Sequence, residues 1–206
     1  MALDSLHDLY VEELKDLYNA ENQLLKALPK MAKAASAEEL KNAFTEHLEV
    51  TRKQVERLDT IFGELEVSPK GKKCKAMEGL LAEGKEIMEE EGDPAVIDAA
   101  LIASAQRVEH YEMAGYGCVR TFATLLGYED AAALLQETLD EEGEADKKLT
   151  ELAETVINVD AESAEDDDEG ADGEDEADDM EEDEGEEEPA PKSRKSAPKA
   201  QSGAKK

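Results

Sequence analysis

The sequence has few aromatic residues: among 206 residues there are no tryptophans, three phenylalanines and five tyrosines. Sandwiches and barrels depend on aromatic and β-branched residues, whereas the Ala, Leu, Glu and Lys that abound here are good helix formers. The sequence also has no run of 18 apolar residues, the length that a membrane-spanning helix needs. These absences predict an all-α protein that does not enter a membrane.

Cysteine is scarce as well. The two cysteines, Cys74 and Cys118, have the spacing of neither a zinc finger nor a disulfide framework. Residues 1–4 lack the basic and apolar regions of a signal peptide. We therefore expect a cytoplasmic protein with two reduced thiols, each packed as a small apolar group.

Positive charge is outnumbered, with 23 basic against 54 acidic residues and a net charge of −31. This excludes a basic nucleic-acid-binding surface for the protein as a whole. Residues 161–188 contain 19 acidic residues and no Lys or Arg, and the sequence from Pro189 onward is rich in Pro, Ala, Ser and Lys. Such segments cannot bury enough apolar surface to fold. We predict a bundle domain at 1–160 and a disordered tail at 161–206, whose basic end is the one place where nucleic acid could touch the chain.

Helical periodicity and caps divide residues 1–160 into segments. Leucines at helical spacing predict a first helix at about 3–34, with Pro29 as a point where it could kink. A capping-box pattern at Ser36–Glu39 predicts the start of a second helix. Asp93-Pro94 has the form of a cap followed by a first-turn proline and opens the third long helix, which Gly127 ends. The fourth long helix is predicted at 129–158.

The connection between the second and third long helices is long and carries a shorter helix at about 74–90. One long crossover between two helix pairs is the ferritin-like topology, whereas a simple up-down bundle would not need it. The fold class predicted is therefore a ferritin-like four-helix bundle with a short crossover helix between helices 2 and 3, followed by the disordered tail.

Ionisable residues interrupt the apolar face of each long helix. Glu21 lies between Leu17 and Leu24, and His47 follows Phe44 by one turn. The third long helix offers Glu109 or Glu112, and the fourth offers Glu142 with Glu141 as the neighbouring alternative.

Burial of an unpaired carboxylate costs several kcal/mol or shifts its pKa. Taken singly, each Glu could be half-exposed at the edge of its face, and a single His is more often a hydrogen-bonded core residue. Taken together, four helices each offering a polar group at mid-height favour a pair of divalent cations. Oxygen and imidazole ligands suit iron or manganese.

Several stretches of the chain resemble the YciE/YciF-type, ferritin-like stress proteins across about residues 5–158. These stretches are Asn19–Leu24, Glu46–Glu49, Gln54–Leu58, Lys73–Leu80, Asp98–Ala103, Val108–Glu112 and Leu135–Glu142. The resemblance implies a ferritin-like bundle, a homodimer and a role in stress responses.

The wider ferritin-like group holds two metals with a Glu on each of two helices and Glu-x-x-His on each of the other two. This chain places Thr51-x-x-Gln54 and Glu142-x-x-Ala145 at the two Glu-x-x-His positions. The metal ligands that this reasoning proposes are Glu21, His47, Glu109, Glu112, Glu141 and Glu142. Two functions stay open: a stress protein with a dinuclear iron or manganese centre, and a metal-free structural or interaction protein that has lost the site.

Overall fold

The computed structural model describes residues 3–169, which form helices and no strand. Four long helices and one short helix in the crossover confirm the predicted fold class. The helices are α1 (Leu6–Ala34), α2 (Glu38–Glu64), α3 (Lys75–Glu89), α4 (Pro94–Leu126), α5 (Glu129–Leu152) and α6 (Asn158–Glu169). Short turns join α1 to α2 and α4 to α5, and α3 packs against α4 and α1.

Local sequence signals set the ends of α4. The Asp93 side chain accepts hydrogen bonds from the amides of Ala95 and Val96, at 2.8 and 3.3 Å, and Pro94 occupies the first turn. Gly127 ends the helix with a φ of 78°, a left-handed conformation that costs glycine little. Both ends lie where the sequence predicted them.

The start of α2 is capped by another helix rather than by its own capping box. Its N-cap residue, Ala37, has no side-chain hydrogen bond to offer. Instead the buried carboxylate of Asp98, on α4, accepts hydrogen bonds from the amide of Ser36 at 2.8 Å and from that of Ala37 at 2.6 Å. The helix begins at Glu38, within the predicted pattern, but its cap is not a capping box, because the tertiary contact with Asp98 satisfies these amides.

Replacing the buried Asp98 with Ala is expected to lower the free energy of unfolding by about 2–4 kcal/mol, because it removes two charge-assisted hydrogen bonds and leaves the part-buried amides of Ser36 and Ala37 without this acceptor. Asp93→Ala, which removes an exposed cap, is expected to cost about 1 kcal/mol. Urea denaturation of the two variants measures both values. Equal losses would contradict the tertiary capping role of Asp98.

The last helix extends further than predicted. After α5 the chain makes a single π-helical turn at Ala153–Ile157 and continues as α6 to Glu169. Ile157 is 1% exposed and packs in the core with Ala153, which holds this end of the helix against the bundle. The boundary predicted at residue 160 falls within α6, and the rest of the predicted tail, 170–206, lies outside the described residues.

The two cysteines have different environments. Cys74 is buried, and its Sγ lies 2.9 Å from the Tyr111 hydroxyl, which in turn donates a hydrogen bond to Asp16. Burial is the main cause that raises the pKa of the Cys74 thiol. Cys118 is exposed, so the prediction that it packs in the interior is wrong. No helix in the described part of the chain is long and apolar enough to cross a membrane.

The core is divided into two apolar clusters along the bundle axis. Leu24, Phe44 and Leu149 belong to one cluster, and Leu17, Leu58 and Leu135 to the other. On α2 and α5 the fully buried residues between the two clusters are polar: Thr51, Gln54 and Glu142. The fold thus places a layer of polar side chains at mid-height in its own interior.

Candidate metal centre

Four glutamates form the acidic part of this polar layer. Glu21 comes from α1, Glu109 and Glu112 from adjacent turns of α4, and Glu142 from α5; each is at most 3% exposed. Glu21 lies between Leu17 and Leu24, and Glu112 lies between Val108 and Tyr116, so residues of both core clusters flank these two glutamates. The fold therefore brings carboxylates from three helices into one interior layer.

His47 of α2 completes a group of three possible metal ligands. Its Nε2 lies 3.6 Å from Oε2 of Glu109 and 3.7 Å from Oε2 of Glu142, and one ligand atom of each residue lies within 4.8 Å of the others. Ligands that each lie about 2 Å from one ion are separated by about 3–4 Å. The three side chains thus have a spacing that one cation could bridge.

Several ligand-type atoms in this layer have no hydrogen-bond partner. They are Oε2 of Glu21, Nε2 of His47, Oε1 of Gln54, Oε2 of Glu109 and both carboxylate oxygens of Glu112 and Glu142. Native proteins rarely leave buried polar atoms unpaired, and bound ions are one reason for the exceptions. These atoms are oxygen and imidazole donors, the set that iron and manganese accept, so the residues present fit a metal centre.

The four buried glutamates have pKa values above the ordinary value for this side chain. Burial raises the pKa of Glu109 to about 7. Burial also raises the pKa of Glu112 well above its ordinary value, and the charges of Glu21, Glu142 and Glu109 raise it further. The pKa of Glu142 rises because of burial and then because of Glu109, and that of Glu21 because of burial and then because of Glu142. The pKa of each glutamate is therefore influenced by at least one other glutamate of the layer, as a shared site requires.

Two hydroxyl side chains, those of Tyr116 and Thr51, lie beside the polar layer but do not belong to the group of three. The buried Tyr116 hydroxyl donates a hydrogen bond to Oε1 of Glu21, which leaves Oε2 free. The Thr51 hydroxyl donates to the backbone carbonyl of His47 at 3.0 Å and so is already engaged. In the sequence, Tyr116 is an aromatic residue one turn after Glu112, and no motif marks it as a partner of Glu21.

Glu141 lies apart from the other candidate ligands. Its carboxylate oxygens are 2.6 and 2.7 Å from the two terminal nitrogens of Arg57, and its side chain is 28% exposed. Gln54 donates to the same carboxylate at 3.3 Å. The structure thus places Glu142 in the interior and Glu141 in an ion pair at the α2–α5 boundary, and the Arg57 partner was not anticipated.

The candidate ligands are brought together unequally. His47, Glu109 and Glu142 form the close group, whereas Glu21 and Glu112 lie in the same buried layer outside it. Glu109, not Glu112, is the α4 carboxylate that belongs to the group with His47. Ala145, where the ferritin-like pattern has its second histidine, offers no ligand atom.

Comparison with known proteins finds the same fold and related sequences. Residues 5–162 match the model of the family described as a domain of unknown function, DUF892. Protein YciF of Escherichia coli (strain K12) is 48% identical over 164 residues, which cover 79% of this chain and 99% of that protein.

Two solved structures are also similar. The crystal structure of the E. coli stress protein YciF has a TM-score of 0.73 and 49% identity, covering 75% of this chain and 98% of that one. A Rhodopseudomonas palustris protein described as "YcfI, a putative structural protein" has a TM-score of 0.70 and 44% identity, covering 72% of this chain and 94% of that one.

Proposed function

The chain belongs to the family described as DUF892, and from this premise and its site we propose that it is a stress-response protein holding a pair of iron or manganese ions inside the helical bundle. The observation that carries the proposal is the set of buried, unpartnered carboxylate oxygens beside the unpartnered Nε2 of His47. The stress-response role is supported by the similarity to E. coli YciF, which is described as a stress protein.

The proposal assigns ligands to two ions. His47, Glu109 and Glu142 would hold one ion, and Glu21 and Glu112 would supply oxygens for the other, with Oε1 of Gln54 as a further donor. Bound iron or manganese would supply electron exchange with an oxygen species. The chain's own groups then have defined tasks: the carboxylates balance the cationic charge, and Tyr116 fixes the orientation of Glu21.

A metal-free structural or interaction protein is the second candidate. Two observations favour it: Thr51 and Ala145 replace ligands of the ferritin-like pattern, and the similar R. palustris protein is described in structural terms. In that case the interior glutamates would keep their protons to a higher pH than ordinary glutamates do, since burial and the neighbouring carboxylates raise their pKa values.

Two further properties belong to the proposal. A homodimer is proposed from the family resemblance, and sedimentation velocity of the full chain tests it by giving twice the chain mass. A cytoplasmic location is proposed because both cysteines are free, as expected in a reducing compartment.

Metal content separates the two candidate functions. Protein purified from cells without chelator is expected to contain close to two equivalents of iron plus manganese per chain. Glu112→Gln is expected to retain at most half of that, and Glu56→Gln, which changes an exposed glutamate on α2, serves as the matched control. Elemental analysis that finds no metal in the wild type, or equal metal in all three proteins, would favour the structural protein.

A further inference from the structure

A cleft opens between α2 and α5 beside the polar layer. It has a volume of about 420 Å³ and apolar walls formed by Ala43, Phe44, Val50, Ala145 and Leu149. The small side chain of Ala145 contributes to this space, because it stands where an imidazole would otherwise project. Clefts of about 300–1,000 Å³ with apolar walls and few polar groups are typical small-molecule sites.

The floor of this cleft is polar. His47 and Glu109 both line it. Glu109 is 3% exposed and its Oε2 has no partner among the described residues. A buried carboxylate at the end of an apolar cleft would favour a ligand that donates hydrogen bonds and carries positive charge.

The rim of the cleft carries more negative than positive charge. Its carboxylates are Glu46, Glu137, Asp140, Glu141 and Glu144. Three cations face them: Lys148 pairs with Glu46, Arg57 with Glu137 and Glu141, and Lys147 with Glu144. The excess of carboxylates makes the rim repel organic anions and attract organic cations.

We propose that the α2–α5 cleft binds a small organic amine, with its apolar body between Phe44, Val50, Ala145 and Leu149 and its ammonium group at Glu109. The apolar walls favour an apolar body, and the acidic floor and the net negative rim favour a positively charged group. The binding event is non-covalent and belongs to the metal-free protein, because an ion held by Glu109 would occupy the carboxylate that receives the ammonium group.

Three probes that share a phenylalkyl group and differ in their polar group test the ligand class. Chelator-treated full-length protein is titrated calorimetrically, at physiological salt, with 4-phenylbutylamine, 4-phenylbutan-1-ol and 4-phenylbutyrate. The amine is expected to bind at least tenfold more tightly than the alcohol, and the carboxylate is expected not to bind. Equal binding of the three probes, or no binding of the amine, overturns the proposal; the second result is also what a second copy of the chain covering the cleft would give.

Two substitutions locate the amine. Ala145→Leu fills the cleft and is expected to weaken amine binding at least tenfold, whereas Ala133→Leu, at an exposed position of the same helix, is expected to leave it unchanged. Glu109→Gln is expected to reduce amine affinity to that of the alcohol. Unchanged amine binding in either Ala145→Leu or Glu109→Gln would overturn the assignment, and Glu109→Gln keeps the test decisive if Ala145→Leu does not fold.

Amine binding and metal binding can fail separately. Glu112 is assigned to the metal centre but does not line the cleft. Glu112→Gln is therefore expected to lose metal and still to bind 4-phenylbutylamine more tightly than 4-phenylbutan-1-ol. A protein that takes up metal but no amine would refute only the cleft proposal, and one that binds amine but no metal would refute only the metal centre.

Discussion

The metal-free protein is expected to lose stability as the pH rises from about 5 to about 8. The interior glutamates have pKa values above their ordinary value in the folded state, so the folded protein binds more protons than the unfolded chain in this range. Stability then falls as the pH rises. For Glu109, whose pKa rises from 4.5 to about 7, the loss over that window amounts to about 3 kcal/mol at about 1.4 kcal/mol per unit. Urea denaturation at several pH values after chelator treatment measures it.

Exposed carboxylates contribute a pH effect of the same sign, because a chain with a net charge of −31 repels itself more as they ionise. The comparison that isolates the interior is Glu109→Gln against the exposed control Glu56→Gln. Only Glu109→Gln is expected to reduce the dependence of stability on pH. Manganese(II) should also flatten or reverse it, because a cation replaces protons on ionised ligands. Parallel profiles for the two variants would contradict the account of the interior.

Glu112→Gln is expected to stabilise the metal-free protein by about 1–3 kcal/mol at pH 8, although it alters a fully buried residue. The substitution removes a carboxylate whose two oxygens have no partner and whose pKa is raised by burial and by three neighbouring glutamates. Replacing a buried, uncompensated charge by a neutral group of the same shape removes the repulsion by the neighbouring glutamates and the cost of burying the charge. The melting temperature should rise by several degrees.

The same variant should lose the stabilisation that metal gives the wild type. Excess manganese(II) is expected to raise the wild-type melting temperature, because a ligand that binds only the folded state adds stability with its concentration. Excess manganese(II) should raise the melting temperature of Glu112→Gln much less. A variant that is less stable than the wild type without metal would show that Glu112 is stabilised by its surroundings, contrary to the repulsion described here.

Local chemistry made the helix pattern predictable. The Asp93-Pro94 start and the Gly127 end of α4 depend on residues adjacent in sequence, and both were predicted. The start of α2 was also predicted, but its cap comes from Asp98, about sixty residues away in the chain, and could not be inferred from Ser36 and its neighbours. The extension of α6 likewise depends on the packing of Ile157 against a core contributed by other helices.

The candidate site was predictable to within one helical turn. Periodicity predicted a polar layer with Glu21 and His47. It did not decide between Glu109 and Glu112 on α4, or between Glu141 and Glu142 on α5. Neighbouring residues on a helix point about 100° apart, so the choice between Glu141 and Glu142 depends on how α5 is rotated against α2. Arg57 on α2 reveals that rotation by pairing with Glu141, and this contact between distant residues leaves no periodic signal.

Counting manganese(II) bound at equilibrium tests the central claim most directly. Dialysis of chelator-treated protein against manganese(II), with physiological salt and excess magnesium to occupy the acidic surface, gives the number of tightly bound ions per chain. The account predicts two ions for the wild type and for Glu56→Gln, and one or none for Glu112→Gln. Equal counts in the three proteins, or no tight binding in any, would contradict a metal centre in the interior of the bundle.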